Sequence, residues 1–286
     1  MLGETSARTG RRTRASVPSA HIRVGLIGFG KAGRAVADVV LRRRGFLLEW
    51  VAQRSIATPT ATAADLRGID AIGRGRLIST TSLDAAELLD LHPVDVIVDF
   101  SSHTGPDYYG EAAAQRGVAI VCAVSHFDDD PEPRFDRWAN TSPVLWSPNI
   151  TLGINLLLLA ARALRAIEPD ADVEIVEEHC RDKREVSGTA RRLAASVGVD
   201  DARIKSLRAG EIVGNHEVLF GLRHQNVRLR HESITREAFG DGALFAVRHL
   251  ARRPPGRYLM EDLLLANLRL ADAEPIHVGE PRRTAS

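Results

Sequence analysis

The sequence is poor in cysteine, methionine and aromatic residues, and it carries almost no net charge. Of its 286 residues only two are cysteines, Cys122 and Cys180, which lie far apart in the chain. Two such cysteines do not form the disulfide framework typical of small secreted proteins, so a reducing cytoplasm is the expected location. The formal net charge of +1 gives no reason to expect a nucleic-acid partner.

Long apolar runs are also missing. The longest, residues 154–163, contains Asn155 and Arg162 and is too short to cross a bilayer, so it predicts a buried helix and no membrane partner. The first 20 residues are rich in arginine but lack the apolar segment of a secretory signal. We expect residues 1–20 to be a disordered leader and residues 275–286 a disordered tail.

The first half of the chain alternates short apolar strands with helical segments. Residues 56–76 are rich in alanine, threonine and glycine, and we expect irregular structure there. The predicted strands cover residues 22–27, 46–52, 94–100, 118–124 and 143–146. This alternation is typical of an α/β fold with a parallel, doubly wound sheet.

A glycine-rich turn follows the first strand directly. It reads Gly28-Phe29-Gly30-Lys31-Ala32-Gly33 and leads into an apolar helix pattern. In this context the spacing indicates a dinucleotide site: Gly28 permits the tight turn, Gly30 lets the backbone approach a pyrophosphate, and Gly33 lets helix and strand pack closely. A glycine-rich turn without a ligand is the alternative.

The end of the second strand bears on which dinucleotide is bound. NAD-specific sites usually place an acidic residue there for the ribose hydroxyls. This chain has Gln53-Arg54-Ser55 instead, and the Arg54 guanidinium could pair with a 2′-phosphate. The sequence therefore favours NADPH, with NADH as the second choice; the alternative is that Arg54 is only a surface residue.

The second half of the chain is organised differently. Helices are predicted over residues 152–167, 189–197, 242–250 and 259–270, and strands over residues 173–176, 204–208, 211–220 and 227–234. Charged residues alternate with apolar ones in the last strand, which indicates a sheet with one solvated or interfacial face.

Most of the residues suited to chemistry lie between the strand at 173–176 and the next helix. His179, Cys180 and Lys183 come first, and Ser187-Gly188-Thr189 forms a good helix N-terminus. The N–H groups of a helix start, with cations nearby, can hold a carboxylate, and His179 can donate a proton. A polar loop with solvated charges is the alternative. No metal site is expected, because the histidines and cysteines lack ligand spacing.

At this point the chain resembles the dihydrodipicolinate reductase family over nearly all of residues 21–272. The markers are the glycine-rich turn, Val98-Asp99-Phe100-Ser101, Ser147-Pro148-Asn149-Ile150-Thr151, the stretch around His179, residues 208–216 and residues 256–264. The resemblance implies a Rossmann NADP-binding domain at residues 21–148 and 253–274. It also implies an α+β domain at residues 149–252 for substrate binding and oligomerisation, with an open mixed sheet that builds a homotetramer or a dimer.

The resemblance further implies NAD(P)H-dependent reduction of a cyclic imine dicarboxylate to tetrahydrodipicolinate. His179 is implied as the proton donor and Lys183 as the group that stabilises charge on the substrate. Substrate contacts are implied for Ser187, Gly188, Thr189 and Cys180. The implied cofactor-binding residues are Gly28, Phe29, Gly30, Lys31, Ala32, Gly33, Arg54, Phe100, Ser101, Ala123, Ser125 and Asn149.

Departures from the family pattern cluster at the substrate end. Cys180 stands where the family has a second histidine, and the spacer from Lys183 to Ser187 is one residue shorter. These departures leave a divergent paralogue, reducing a different imine or carbonyl acid, as an alternative. A thiol-dependent oxidoreductase with Cys180 or Cys122 as nucleophile, and a non-catalytic NADP-binding protein, are the other two.

Overall fold

The computed structural model describes residues 21–56 and 60–272, so the predicted leader and the predicted tail from residue 275 onward lie outside the described residues. The strands are β1 (Ile22–Ile27), β2 (Phe46–Gln53), β3 (Arg76–Ser79), β4 (Val96–Asp99), β5 (Ala119–Cys122), β6 (Pro143–Trp146), β7 (Asp172–His179), β8 (Ile204–Arg208), β9 (Asn215–Gly221), β10 (Asn226–Glu232) and β11 (Gly256–Tyr258). The helices are α1 (Lys31–Arg42), α2 (Ala63–Arg67), α3 (Ala85–Leu91), α4 (Gly105–Gln115), α5 (Glu132–Ala139), α6 (Leu152–Ile167), α7 (Gly188–Val197), α8 (Glu237–Leu250) and α9 (Met260–Asp272).

The first sheet is parallel throughout and has seven strands in the order β11-β6-β5-β4-β1-β2-β3. Its central strands read as apolar runs because helices cover both faces: Val24, Val98 and Val121 have no solvent exposure. The predicted doubly wound α/β sheet is confirmed. All its strands point their carboxyl ends to one edge, where ligands of such sheets bind.

The second sheet is mixed and has four strands in the order β10-β9-β7-β8. Strands β7 and β8 are parallel, and the remaining pairs are antiparallel. Side chains of Val173, Ile175, Val218 and Phe220 on one face pack against helices α6 and α7. Acidic and basic side chains, among them the paired Glu178 and Arg230, alternate onto the other face. The predicted α+β domain with a mixed sheet is confirmed.

Two parts of the first sheet differ from the sequence prediction. Residues 56–76 were expected to be irregular, yet helix α2 begins there behind a capping box of Thr62 and Asp65, and β3 begins at Arg76 and pairs with β2. No strand was predicted between the helices at residues 242–250 and 259–270, yet β11 begins at Gly256 and pairs with β6. Neither strand lies in a continuous apolar run like those of the central strands, so their places depend on pairing with β2 and β6.

Helix α8 also differs from its prediction. It begins at Glu237 instead of residue 242, and its apolar face joins the core of the first domain beside helix α1. A Cβ at Gly240 would lie 2.7 Å from the Cβ of Val39, so the missing side chain permits this close contact. The domain boundary predicted after residue 252 puts this helix in the second domain, whereas its packing places it in the first. Within the described part of the chain, no helix combines the length and apolarity needed to cross a membrane.

Candidate active site

The glycine-rich turn forms an open cradle at the carboxyl edge of the first sheet. Gly28 has a φ of +91°, which favours glycine, and its N–H donates to the Ala52 carbonyl oxygen at 2.8 Å. A Cβ at Gly33 would lie 2.1 Å from the Gly28 carbonyl oxygen, whereas a Cβ at Gly30 would meet nothing within 4 Å. Helix α1 therefore packs closely against the turn at Gly33, and the side of the turn at Gly30 leaves its backbone N–H groups open. This arrangement fits a dinucleotide pyrophosphate.

A cleft beside the turn brings three of the expected cofactor residues together. Gly28, Arg54 and Ser101 come from the ends of β1, β2 and β4 and line it jointly. The Arg54 guanidinium makes no hydrogen bond or ion pair with any other residue in the described ranges, so its charge is available to a ligand. Its place at the end of β2 is where a ribose phosphate of a dinucleotide lies in such folds.

Other expected cofactor residues lie elsewhere. Phe29 is buried in the core, with Arg34 stacked over its ring. Lys31 lines a second cleft with Arg34 and Arg236. Ala32 lies in the first turn of helix α1, and three others follow strand ends at the same sheet edge: Phe100 after β4, and Ala123 and Ser125 after β5.

A buried carboxyl lies directly under Ser101. Asp99 Oδ1 accepts hydrogen bonds from the Ser101 backbone N–H at 2.8 Å and from the Ser101 hydroxyl at 2.5 Å, and Oδ2 accepts one from the Tyr109 hydroxyl at 3.0 Å. Burial raises the pKa of Asp99 to about 6, and these hydrogen bonds only partly oppose that rise. Asp99 thus holds the loop after β4 in place at the cofactor cleft.

At the end of β7, Glu177 and His179 form a buried pair. Glu177 Oε2 bonds to His179 Nδ1, and Oε1 accepts from Ser206 Oγ and Arg208 Nη2, each at 2.5 Å. Burial alone would raise the pKa of Glu177, but these two donors and the charge of His179 bring that pKa below its ordinary value. The carboxylate is therefore ionised and acts only as an acceptor.

The electrostatic surroundings of the two buried histidines differ. Burial lowers the pKa of His179, the charge of Lys183 lowers it further, and the Glu177 carboxylate opposes both. His216 lies edge-on to His179, with ring centroids 5.3 Å apart, and its Nε2 lies 3.0 Å from Ser187 Oγ. Burial lowers the pKa of His216 to about 3, so this ring stays neutral. His179 is the better proton carrier of the two.

The start of helix α7 lies next to this pair. Ser187 Oγ accepts from the Ala190 N–H at 3.0 Å and so caps the helix, and a Cβ at Gly188 would meet nothing within 4 Å. Asn149, expected at the cofactor, donates from Nδ2 to Thr189 Oγ1 at 2.9 Å. The structure therefore groups His179, Lys183 and the helix start at one end of the second sheet. Asn149 connects that end to the first domain.

Of the two cysteines, Cys122 is poorly suited to act as a nucleophile. Cys122 is fully buried, and burial with the nearby Asp99 charge raises the pKa of its thiol well above the ordinary value. Cys180 is half-buried and is free, as is Cys122. At the carboxyl edge of the first sheet, His103 and His126 both contact Asp128, at 3.2 Å and 3.4 Å, which joins the loops that follow β4 and β5.

Glu177, His179 and His216 also form a group that the sequence analysis did not expect. Their ligand-type atoms lie within 4.8 Å of one another, and the expectation that no metal site exists stays a prediction. Sequence spacing missed the set because β9 brings His216 beside Glu177 from 39 positions away in the chain. The Arg208 guanidinium already pairs with the Glu177 carboxylate, and Lys183 adds a second positive charge. The site therefore favours an anion over a cation.

Sequence reasoning missed the roles of Glu177, Ser206 and Arg208. A signal was available: along β7 the face with Val173 and Ile175 continues into Glu177 and His179. A carboxylate on the buried face of a strand needs partners, which could have prompted a search for the basic residue.

Comparison with known proteins agrees with this geometry. The family model "Dihydrodipicolinate reductase, N-terminus" matches residues 22–150, and "Dihydrodipicolinate reductase, C-terminus" matches residues 153–264. The chain belongs to the dihydrodipicolinate reductase family. This membership confirms the resemblance seen in the sequence. As members of the family are, the protein is an NAD(P)H-dependent oxidoreductase of the dihydrodipicolinate reductase type.

Individual relatives span most of the chain. A 4-hydroxy-tetrahydrodipicolinate reductase of Anaeromyxobacter dehalogenans is 34% identical over 242 residues, 73% of this chain and 90% of the relative. One of Thiobacillus denitrificans is 32% identical over 270 residues, 85% of this chain and 98% of the relative. The solved dipicolinate-bound dihydrodipicolinate reductase of Paenisporosarcina sp. TG-14 shares the fold, with a TM-score of 0.69 at 22% identity, covering 85% of this chain and 99% of that one.

Proposed function

We propose that this protein uses NADPH to reduce a cyclic imine dicarboxylate of the dihydrodipicolinate type, giving tetrahydrodipicolinate. The observation that carries the proposal is the grouping of His179 and Lys183 with the open start of helix α7. The names of the relatives, and the dipicolinate bound to the structural neighbour, support a dicarboxylate as the ligand.

The helix start supplies the carboxylate site. A dianionic substrate needs fixed positive charge, and the backbone N–H groups of Gly188 and Thr189 offer it together with the positive end of the helix dipole. Ser187 caps the helix beneath them. Lys183 is close enough to lower the pKa of His179, so its ammonium group can pair with the same carboxylate and with charge that develops on the ring. Cys180 would line the site.

His179 supplies the proton. Because Glu177 accepts from Nδ1, the proton to be given is on Nε2 of the charged ring. The lowered pKa of His179 makes it a stronger acid, and a bound substrate dianion would raise that pKa toward neutrality, where a general acid works best.

NADPH, when bound, supplies a hydride to the substrate. The turn from Gly28 to Gly33 would hold the pyrophosphate, Arg54 the 2′-phosphate, and Ser101 the nicotinamide end. Arg54 and the lack of an acidic residue at the end of β2 support NADPH over NADH.

The second sheet is proposed as the assembly surface of a homotetramer or a dimer. Its outer face exposes 53% of Leu207 among the charged side chains of the same strands. Leu207→Arg should reduce the molecular mass measured by light scattering. A cytoplasmic location is proposed as well, since both cysteines are free and one is deeply buried.

Turnover tests the proposal directly. The full chain is assayed for NADPH oxidation with dihydrodipicolinate generated in a coupled reaction, and with NADH for comparison. Lys183→Ala should lower kcat/KM by about 100-fold or more, as expected for loss of a charged group at the reacting centre. The control Arg116→Ala removes a cation that pairs with Asp90 away from both sites and should leave kcat/KM unchanged. Arg54→Ala should raise the KM for NADPH by about tenfold and leave that for NADH alone.

The same assay separates the alternatives. NADPH oxidation with other cyclic imines or carbonyl acids, and none with dihydrodipicolinate, would point to the paralogue that the replacement at Cys180 suggests. Tight NADPH binding without turnover on any of these acids would refute a catalytic role.

A further inference from the structure

The Arg208 guanidinium contacts both the carboxylate that bonds to His179 and the loop that carries Lys183. Arg208 ends β8 and lies opposite His179, which ends β7. Its Nη2 donates to Glu177 Oε1 at 2.5 Å and to the Glu185 carbonyl oxygen at 2.9 Å, and its Nε donates to the Lys183 carbonyl oxygen at 2.8 Å. Arg208 therefore connects the carboxylate bonded to His179 with the loop that carries Lys183.

Glu177 links Arg208 to the imidazole of His179. It is fully buried, and its two oxygens divide their partners: Oε1 serves Ser206 and Arg208, and Oε2 serves His179. An ionised carboxylate only accepts, so the hydrogen shared with Oε2 belongs to His179 Nδ1. The other ring nitrogen, Nε2, is then the one that gains and releases a proton.

Backbone hydrogen bonds to the residues just after β8 also fix the loop after β7. Hydrogen bonds from the Ala209 N–H to the His179 carbonyl oxygen and from the Arg181 N–H to the Gly210 carbonyl oxygen, both 3.1 Å, extend the contact between the two strands. Beyond them the Lys183 N–H donates to the Cys180 carbonyl oxygen at 3.2 Å. The carbonyl oxygens that follow, on Lys183 and Glu185, are held by Arg208 and not by regular structure.

We propose that Arg208 is a positioning residue that sets His179 and Lys183 relative to each other, and that Glu177 acts with it by fixing the His179 tautomer. The inference rests on the proposed function, which gives those two residues their roles. A lysine at position 208 would keep the charge but could not reach a carboxylate and two carbonyl oxygens from one rigid planar group.

The first test needs no substrate. Histidine-selective ¹⁵N NMR of the full chain, with His179 assigned from a His179→Asn spectrum, reports its tautomer and pKa. The neutral ring should carry its hydrogen on Nδ1 in the wild-type protein and in Arg208→Lys. In Glu177→Gln the new amide can donate to Nδ1, so the hydrogen should move to Nε2. The pKa of His179 should fall in that variant because a negative charge is lost.

Kinetics provides the second test. Arg208→Lys should lower kcat by about 10- to 100-fold, since small displacements of positioned groups cost rates of that order. Arg208→Ala should be partly restored by added methylguanidine. Glu177→Gln should lower kcat about 100-fold and move the alkaline limb of the pH profile to lower pH, following the pKa of His179.

Arg165→Lys is the matched control. Arg165 also holds backbone carbonyl oxygens, those of Val197, Pro169 and Ala171 at 2.7, 2.8 and 2.9 Å, but it lies outside the site. This variant should lose thermal stability without any change in pH profile.

Wild-type kcat, KM and pH profile in Arg208→Lys would overturn the inference, as would an unchanged His179 tautomer in Glu177→Gln. Activity lost only in proportion to folded protein, as in the control, would overturn it too. If the wild-type chain turned over no substrate, the proposed function would fail, while the NMR measurement would still decide whether Glu177 fixes the tautomer of His179.

Discussion

Replacing Asp99 with asparagine should stabilise the protein at neutral pH and have little effect in acid. The Asp99 carboxyl has no solvent exposure, and its partners are the neutral donors of Ser101 and Tyr109. No lysine or arginine in the described ranges pairs with it. An asparagine oxygen can accept both bonds from Ser101, and its amide can donate to the Tyr109 hydroxyl oxygen. The substitution therefore keeps the shape and removes the buried charge.

The magnitude follows from the pKa of Asp99, which burial raises from 3.8 to about 6. Roughly two pKa units correspond to about 3 kcal/mol, at about 1.4 kcal/mol per unit. Between these two pKa values the folded state binds more protons than the unfolded state, so the free energy of unfolding falls as the pH rises through this window. The full cost is present above the folded pKa and absent below the unfolded one. Asp99→Asn should recover about 1–3 kcal/mol at about pH 8, after an allowance for weaker hydrogen bonds.

Equilibrium urea unfolding at about pH 3.5 and about pH 8 measures this difference, with tryptophan fluorescence and circular dichroism as probes. The two proteins should be close in stability at the lower pH, and the variant should be more stable at the higher one. Tyr109→Phe is the companion variant: it removes a donor to the carboxylate, so it should raise the Asp99 pKa further and steepen the fall in stability. If wild type and Asp99→Asn showed the same pH dependence, Asp99 would not be the buried titrating group.

Three further substitutions probe the glycine-rich turn and the site around His179. Gly33→Ala places a Cβ 2.1 Å from the Gly28 carbonyl oxygen, so it should weaken NADPH binding at least about tenfold in a fluorescence titration. Ser187→Ala removes the cap of helix α7; it should cost about 1 kcal/mol in urea unfolding and raise the KM for the imine substrate, with NADPH affinity unchanged. Gly214→Ala places a Cβ 3.1 Å from His179 Nε2. It should lower kcat about tenfold without changing Tm by more than a few degrees. A normal kcat would show that Nε2 is not the nitrogen that donates the proton.

The parts of the fold that the sequence predicted well are those with a strong local cause. Strand β1, the turn at Gly28–Gly33 and helix α1 follow from an apolar run, from glycines that few other residues can replace, and from a helical period. Helix α6 has the same advantage, since its apolar stripe is long. In each case the signal and the structure it specifies lie within a few residues of each other.

Helix α8 shows the limit of local reasoning. Its amphipathic pattern predicts a helix but does not say which core receives the apolar face. The chain returns to the first domain at Glu237 because Gly240 and the alanines after it allow close contact with helix α1. That contact joins segments about 200 positions apart, and a single sequence holds no record of it.

The candidate site likewise has one part that the local sequence reveals and another that depends on contacts between strands. His179, Lys183 and the start of helix α7 were recognisable because they occur together in one stretch. Glu177 became a candidate only when the structure showed that Arg208 and Ser206, on the neighbouring strand β8, hold its buried carboxylate. Partners that reach a group across a sheet depend on strand order, which residue periodicity does not determine.

The shortened spacer between Lys183 and Ser187 can be understood from these cross-strand contacts. Arg208 holds the spacer at the carbonyl oxygens of Lys183 and Glu185, while His216 Nε2 lies 3.0 Å from Ser187 Oγ at its other end. Both ends are thus fixed by strands outside the spacer. A change of substrate, if the protein has one, would then come from side chains that face the ligand. Cys180, where the sequence resemblance implies a second histidine, is the first position to test.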